Sequence, residues 1–270
     1  MPGRVVLVTG GNRGIGLAVA QAFHDAGDTV AVTYRDKPVE GLLSVRCDVT
    51  SADDVERAFA DVEEQAGPVE VLVSNAGMNA DQLILSMKED AWTSVIDANL
   101  NGAYRVARRA TSKMIRARRG RIIFVSSVVA MTGSAGQTNY AASKAGLIGL
   151  ARSLAREIGG RGVTVNVVSP GFVTTDMTAA LSEARQADIV EQVPLKRMAS
   201  PEEIAGVVRF VASDEAAYIT GAVIPVDGGL GMGHCCRCDP RTFCPTGHRS
   251  CSSMKCRKSS RLSRLEAPGG

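Results

Sequence analysis

The sequence predicts an α/β fold: a doubly wound, parallel, seven-stranded sheet in one domain (residues 1–234), followed by a separate tail (residues 235–270). Three observations carry that expectation. Short β-branched runs alternate with longer amphipathic stretches, a pattern of right-handed strand–helix–strand units. The run Ile122-Ile123-Phe124-Val125 is apolar without a break, as a strand covered on both faces must be. Charge and cysteine are also segregated. Six of the seven cysteines and eight Lys/Arg against two acidic residues lie in the last 36 positions. That tail therefore carries +6 of a chain whose total is +3, and residues 1–234 carry −3.

In order along the chain, a first strand at Arg4–Thr9 runs into a glycine-rich turn and a helix over Gly14–Ala26. Strands at Thr29–Tyr34 and Leu43–Cys47 follow. A helix over Ala52–Gln65 opens behind Thr50-Ser51-Ala52-Asp53, a weak capping box. The strand Glu70–Ser74 leads to one long helix, Glu89–Arg116, then the strand Arg121–Ser126 and a loop, Val128–Gly136. A helix at Asn139–Gly159 and a strand at Val163–Val168 come next. Ser200-Pro201-Glu202-Glu203 sets a capping hydroxyl, a proline at the first helical position and a carboxylate two residues later, so a helix is expected over Pro201–Ala212. The last strand is Ala222–Val226. No internal repeat and no linker is visible before His234.

Several classes are set aside. No apolar run reaches the roughly 18–20 residues of a membrane span, and Met1-Pro2-Gly3-Arg4 lacks the features of a signal peptide. With 45% hydrophobic and 22% charged residues the body reads as globular. Its single cysteine, Cys47, points to a reducing compartment, so a cytoplasmic protein is expected. The basic tail holds one aromatic residue, Phe243, and no recognition motif, which gives no warrant for nucleic-acid binding.

The turn Thr9-Gly10-Gly11-Asn12-Arg13-Gly14-Ile15-Gly16 follows a strand and opens a helix. Glycines there permit the sharp turn, let the backbone approach a pyrophosphate and let helix pack on strand; the helix end adds unpaired N–H groups. Dinucleotide binding by Gly10, Asn12, Arg13, Gly14, Ile15 and Gly16 on a Rossmann fold is therefore expected. At the end of the second strand, where an acidic residue would accept from a ribose 2′-hydroxyl, the chain has Tyr34-Arg35. Arg35 with Arg13 can clamp a 2′-phosphate, which favours NADP(H); the alternative is two solvated surface arginines.

Tyr140-Ala141-Ala142-Ser143-Lys144 places a phenol and an ammonium four apart, on one face of a helix. An ammonium nearby would lower the phenol's pKa toward a useful range. On spacing alone the pair is a weak signal, and an ordinary solvated helix face is the better reading.

Taken together, Thr9-Gly10-x-x-x-Gly14-x-Gly16, Asn75-Ala76-Gly77, Asn99, Ser127, Tyr140-x-x-x-Lys144 and Pro170-Gly171 resemble a short-chain dehydrogenase/reductase, in family order over residues 4–234. The resemblance implies a catalytic set of Asn99, Ser127, Tyr140 and Lys144. Tyr140 would protonate the substrate carbonyl oxygen as hydride arrives, Ser127 would hold that oxygen, Lys144 would lower the Tyr140 pKa and bind the nicotinamide ribose, and Asn99 would anchor a relay water. Strand alternation turns Ser126 to the other face. The resemblance further assigns Asp48 and Val49 to the adenine, Asn75, Ala76 and Gly77 to the adenosine ribose, and Pro170, Gly171 and Val173 to the nicotinamide. Thr175 falls near the phosphates.

Within the family, Thr9–Leu17, Gly67–Gly77, Asp81 with Met87, Gln137–Tyr140 and Ala222–Gly229 with the ending Gly231–His234 are most similar to β-ketoacyl-acyl-carrier-protein reductases of the FabG type, especially the actinobacterial branch. That likeness implies NADPH-dependent reduction of a 3-oxoacyl thioester on acyl-carrier protein to the (3R)-hydroxy product in fatty-acid biosynthesis, by a homotetramer. An acidic carrier needs basic residues to dock on; Arg118, Arg119 and Arg161 match the family's docking arginines, with Arg116 and Arg121 as further contributors. The alternative is cations that merely end helices. The rival functions are an acetoacetyl-CoA or polyketide ketoreductase of the same family, and a non-catalytic NADPH-sensing protein. No metal site is expected: the cysteines and His248 of the tail do not frame a zinc finger. The tail is read as disordered, or as translation beyond the natural end of the domain.

Overall fold

Seven strands form one sheet: β1 (Val5–Val8), β2 (Thr29–Tyr34), β3 (Leu43–Arg46), β4 (Val71–Ser74), β5 (Gly120–Val125), β6 (Val163–Pro170) and β7 (Val223–Val226). Their order is β3-β2-β1-β4-β5-β6-β7, and every pairing is parallel. This computed structural model describes residues 3–175, 178 and 182–232. By its contacts the chain divides into Met1–His234 and Cys235–Gly270. The second unit, and with it every expectation about the tail, lies outside the described residues.

The helices are α1 (Gly14–Asp25), α2 (Ala52–Ala66), α3 (Glu89–Ile96), α4 (Gly102–Ala117), α5 (Val129–Thr132), α6 (Thr138–Ile158), α7 (Glu183–Gln192) and α8 (Pro201–Val211). The period of two in each strand sorts the core into two halves. Leu7, Leu72, Ile122 and Phe124 pack with residues of α2, α4 and α6 on one face. Val6, Val8, Val73, Ile123 and Val125 pack with Val19 and Phe23 of α1 and Ile204 and Val208 of α8 on the other. All six residues of β5 are buried, as a strand with helices on both sides requires. The edge strand β7 tolerates Pro225, whose missing N–H breaks no ladder on the outer side.

The caps act as the sequence suggests. Ser200 and Glu203 complete a reciprocal capping box at α8, and Glu203 also takes a two-pronged ion pair from Arg197 at 2.6 and 2.7 Å. Those partners hold the Glu203 carboxyl down at about 2. At α2 the cap is Ser51 accepting from Asp54 N; the Asp54 carboxylate turns back to Asp48 N instead of to the cap, so the box is half made.

Two expectations need correction. The long helix is not continuous in type: α3 and α4 are joined by a π-helical turn, Asp97–Asn101. One wide turn of five residues is too short a stretch for hydrophobic periodicity to single out. The loop after β5 contains the one-turn helix α5, and α7 was not expected at all. Few of α7's described residues face the core; Ile189 is the buried anchor.

Candidate active site

The order of the strands reverses direction between β1 and β4, and the crevice at their carboxyl ends is where open α/β sheets bind ligands. The glycine turn sits there and is tied to β4. Thr9 Oγ1 accepts from Asn75 N and Ala76 N at 3.0 and 3.1 Å, while Asn75 Nδ2 donates to the carbonyls of Thr9 and Gly10. Gly10 and Gly14 adopt φ of +61° and +52°, a region that side chains disfavour. A Cβ on Gly16 would collide with Gly10 O and lie 2.5 Å from Asn75 Nδ2.

Helix α1 begins at Arg13 with no side-chain cap and no acidic residue in its first turn. Its N–H groups and dipole are thus left for an anion. Ile15 packs against the core behind the turn, and Thr175 approaches Gly14 from the far side of the crevice. Thr175 N is bonded to Thr178 Oγ1 at 2.9 Å, which fixes it there. These residues fit a dinucleotide: a backbone cradle built on Gly10, Gly14 and Gly16, and a helix end whose first turn carries no carboxylate.

The remaining expected contacts frame the same crevice. Asp48 Oδ1 is engaged by Thr50 N and Oγ1 at 2.9 and 2.8 Å, and Val49 is buried against Gly102. Past β6, Gly171 N donates to Val226 O and the Phe172 carbonyl accepts from Ala199 N, so Pro170–Val173 is a strapped segment. Val173 is buried and bridges to Ala199.

At the carboxyl end of β5 and the start of α6 four side chains converge. Asn139 sets the start of α6: its Oδ1 accepts from Tyr140 N at 2.8 Å, and its Nδ2 donates to Ala80 O and Ala91 O, each at 3.0 Å. Fully buried, it pins the Tyr140 end of the helix to the loop after β4 and to α3. Gln137 Nε2, donating to Asp81 Oδ2 at 2.9 Å, adds a second tie. Asn139 is a positioning residue that motif spacing did not single out as functional; it stands second in α6, behind Gln137 at the N-cap, and its distant partners leave no local signal in the chain.

Lys144, one turn on, is buried, and its Nζ donates to Val125 O at 2.9 Å. It lies 5.7 Å from the centre of the Tyr140 ring. Burial alone pulls the ammonium's pKa down to about 8. Burial also pushes the Tyr140 phenol up; the hydrogen bond with Ser127 opposes this and the Asp81 charge reinforces it. The expected lowering of the Tyr140 pKa by Lys144 is therefore not what the geometry produces. The ammonium is aimed at a carbonyl, and desolvation of the phenol wins.

Ser126 and Ser127 part as alternation demands. Ser126 Oγ is buried and donates to Lys144 O at 2.9 Å, whereas Ser127 meets Tyr140. Asn99 stands in the π-helical turn, which projects it at the loop after β4. Its Oδ1 accepts from Met78 N at 2.8 Å and its Nδ2 donates to Met78 O and Ser143 Oγ at 2.9 and 3.0 Å. Both Nδ2 hydrogens of Asn99 and one acceptor site of its Oδ1 are thus used on protein. Gly77 makes the convergence possible: a Cβ there would lie 2.9 Å from Asn99 Oδ1 and 3.5 Å from Lys144 Nζ.

The three arginines expected to dock a carrier lie elsewhere. Arg118 and Arg119 precede β5 and Arg161 precedes β6, so they cluster at the amino ends of these strands, whereas Ser127, which meets Tyr140 of α6, follows the carboxyl end of β5. The length of β5 alone separates them by about 20 Å. Arg118 (φ +52°) donates from Nη2 to Gly160 O at 3.3 Å, which brings it beside Arg161. Arg119 pairs loosely with Glu70 and Asp214, at 3.7 and 4.0 Å. Arg121 is buried and bonded to Asp214 at 3.1 Å, which removes it from any docking surface.

A family model described as enoyl-(acyl carrier protein) reductase matches residues 10–231. The 3-oxoacyl-[acyl-carrier-protein] reductase MabA of Mycobacterium tuberculosis is 57% identical over 232 residues, 86% of this chain and 94% of that protein. The 3-oxoacyl-[acyl-carrier-protein] reductases FabG of Pseudomonas aeruginosa and Vibrio harveyi are 45% and 43% identical, over 86% of this chain and 99% of theirs. Fold and site together define a nicotinamide-dependent oxidoreductase. With identity of this degree over most of both chains, the protein belongs to the short-chain dehydrogenase/reductase family.

Proposed function

We propose that the protein reduces the 3-oxo group of an acyl thioester carried on acyl-carrier protein to the (3R)-hydroxyl, with NADPH, in cytoplasmic fatty-acid biosynthesis. The observation that carries this reading is the meeting of Ser127, Tyr140, Lys144 and Asn99 beside the glycine turn. Its substrate class follows the relatives named above.

When bound, the reduced nicotinamide supplies the hydride. Gly10, Asn12, Arg13, Gly14, Ile15, Gly16, Asn75, Ala76, Gly77 and Thr175 would hold the dinucleotide's phosphates and adenosine half; Asp48 and Val49 would border the adenine, and Pro170, Gly171 and Val173 the nicotinamide. Ser127 holds the carbonyl oxygen and Tyr140 gives it a proton. A phenol pushed upward is protonated at neutral pH, as a donor must be. Lys144 holds the ribose and, with a water anchored by Asn99, returns the proton to Tyr140.

Steady-state rates on acetoacetyl- and trans-2-enoyl thioesters, each on carrier protein and on CoA, test the reading. The oxo substrate on carrier protein should be turned over fastest. Reduction of the enoyl compound in its place would support the alternative named by the family model's description, and a CoA preference would move the assignment to a CoA-dependent ketoreductase.

A homotetramer accounts for the remote arginines. Within one protomer Arg118 and Arg161 lie at the opposite end of β5 from Ser127, so a carrier docked on them would deliver its thioester to the site of a neighbouring copy. Exposed Tyr104, Phe210 and Tyr218 offer apolar surface for such an assembly. Charge reversal at both, Arg118→Glu with Arg161→Glu, is expected to raise KM for the carrier-bound substrate about tenfold and to leave a small free thioester within about twofold. Equal effects on both substrates would remove the docking role.

A further inference from the structure

We propose that Arg46, at the end of β3, is a second guanidinium of the 2′-phosphate site and a determinant of NADPH over NADH; the inference rests on the NADPH reading above. Strand pairing sets Arg46 beside Tyr34 of β2, one place from Arg35. Its Nε donates to the Arg35 carbonyl at 3.3 Å. That bond uses one of five guanidinium N–H groups and leaves both Nη groups for an acceptor.

Arg35 and Arg46 share a solvent-open hollow of about 410 Å³ with Asp36, Asp48 and Asp54. Two of its three carboxylates have other hydrogen-bond partners, although the Arg46 charge also acts on Asp54. Asp54 is paired with Arg57 at 2.7 Å and accepts from Asp48 N, and Asp48 is held by Thr50. Neither Arg35 nor Arg46 has an ion pair among the described residues. The hollow lies at the carboxyl ends of β2 and β3, and Asn12 Nδ2, reaching Lys37 O at 3.5 Å, ties the loop after β2 to the glycine turn.

Two arginines lining one hollow, neither in an ion pair among the described residues, suit a dianion with three acceptor oxygens; a ribose hydroxyl would be met better by a carboxylate. Stacking on the adenine is the other use of such a side chain, and it would not distinguish the two cofactors.

Calorimetric titration of the full chain with NADPH and NADH, and with adenosine 2′,5′-bisphosphate and adenosine 5′-monophosphate, separates these possibilities without turnover. The wild type should prefer each 2′-phosphorylated ligand. Arg46→Met, which keeps the apolar stem, should weaken binding of NADPH and of the bisphosphate about tenfold and leave NADH and the monophosphate within about twofold. Arg46→Lys should recover part of the loss. A wild type without preference overturns the NADPH reading itself. A preference that Arg46→Met leaves intact, or equal losses on all four ligands, overturns the role given to Arg46 and leaves the NADPH reading standing.

Discussion

Tyr140→Phe is expected to lower turnover about a thousandfold while the protein still folds and binds NADPH within about twofold of the wild type. A positioned general acid contributes roughly 10²–10⁴ in rate, and the phenol oxygen is all that this substitution removes. The ring remains to fill its place on α6. The lost hydrogen bond with Ser127 should cost about 1 kcal/mol of stability. Rapid mixing with a 3-oxoacyl thioester, alongside a cofactor titration, checks both halves. A variant that kept more than a tenth of the wild-type rate would mean that another group supplies the proton, and would reopen the reading as a cofactor-sensing protein.

Lys144→Met is expected to separate activity from stability. The ammonium is buried with one carbonyl partner, Val125 O, and no carboxylate pairs with it among the described residues. Its pKa of about 8, against an ordinary 10.5, means that the folded state holds this proton more weakly than the unfolded chain. The sign follows: below pH 8 the wild type carries the full penalty, on the order of 3 kcal/mol, and it is relieved as pH rises toward 10.5. Methionine keeps the length without the charge. Turnover should fall about 10²- to 10³-fold, since ribose positioning and proton return are both lost. Urea midpoints should match or exceed the wild type at pH 7, with the difference drifting against the variant between pH 8 and 10.5. A uniform loss of several kcal/mol at all pH values would make Lys144 a structural strut, and would remove it from the proton path.

Much of this was legible in the residues. The bounds of β2, Thr29–Tyr34, coincide with those expected, and the other strands differ by a residue or two at their ends, since β-branched runs and flanking turns are local signals. The split between Ser126 and Ser127 needed only the period of a strand. Other features were out of reach for a stated reason. The π-helical turn that aims Asn99 is stabilised by partners 21 and 44 residues away, Met78 and Ser143. The role of Asn139 depends on Ala80 and Ala91, brought to it by two other elements.

The sequence by itself determined the α/β architecture, the glycine turn and the set of reacting side chains, because each is written in short-range spacing and conformational preference. Only the tertiary structure decided how those groups behave. It set the phenol of Tyr140 upward and the ammonium of Lys144 downward, because desolvation depends on what packs around a group and not on its neighbours in the chain. It also put Arg118 and Arg161 at the far end of the sheet from Ser127 and Arg46 beside Arg35. Strand order and direction, which no local pattern encodes, decide what lies next to what.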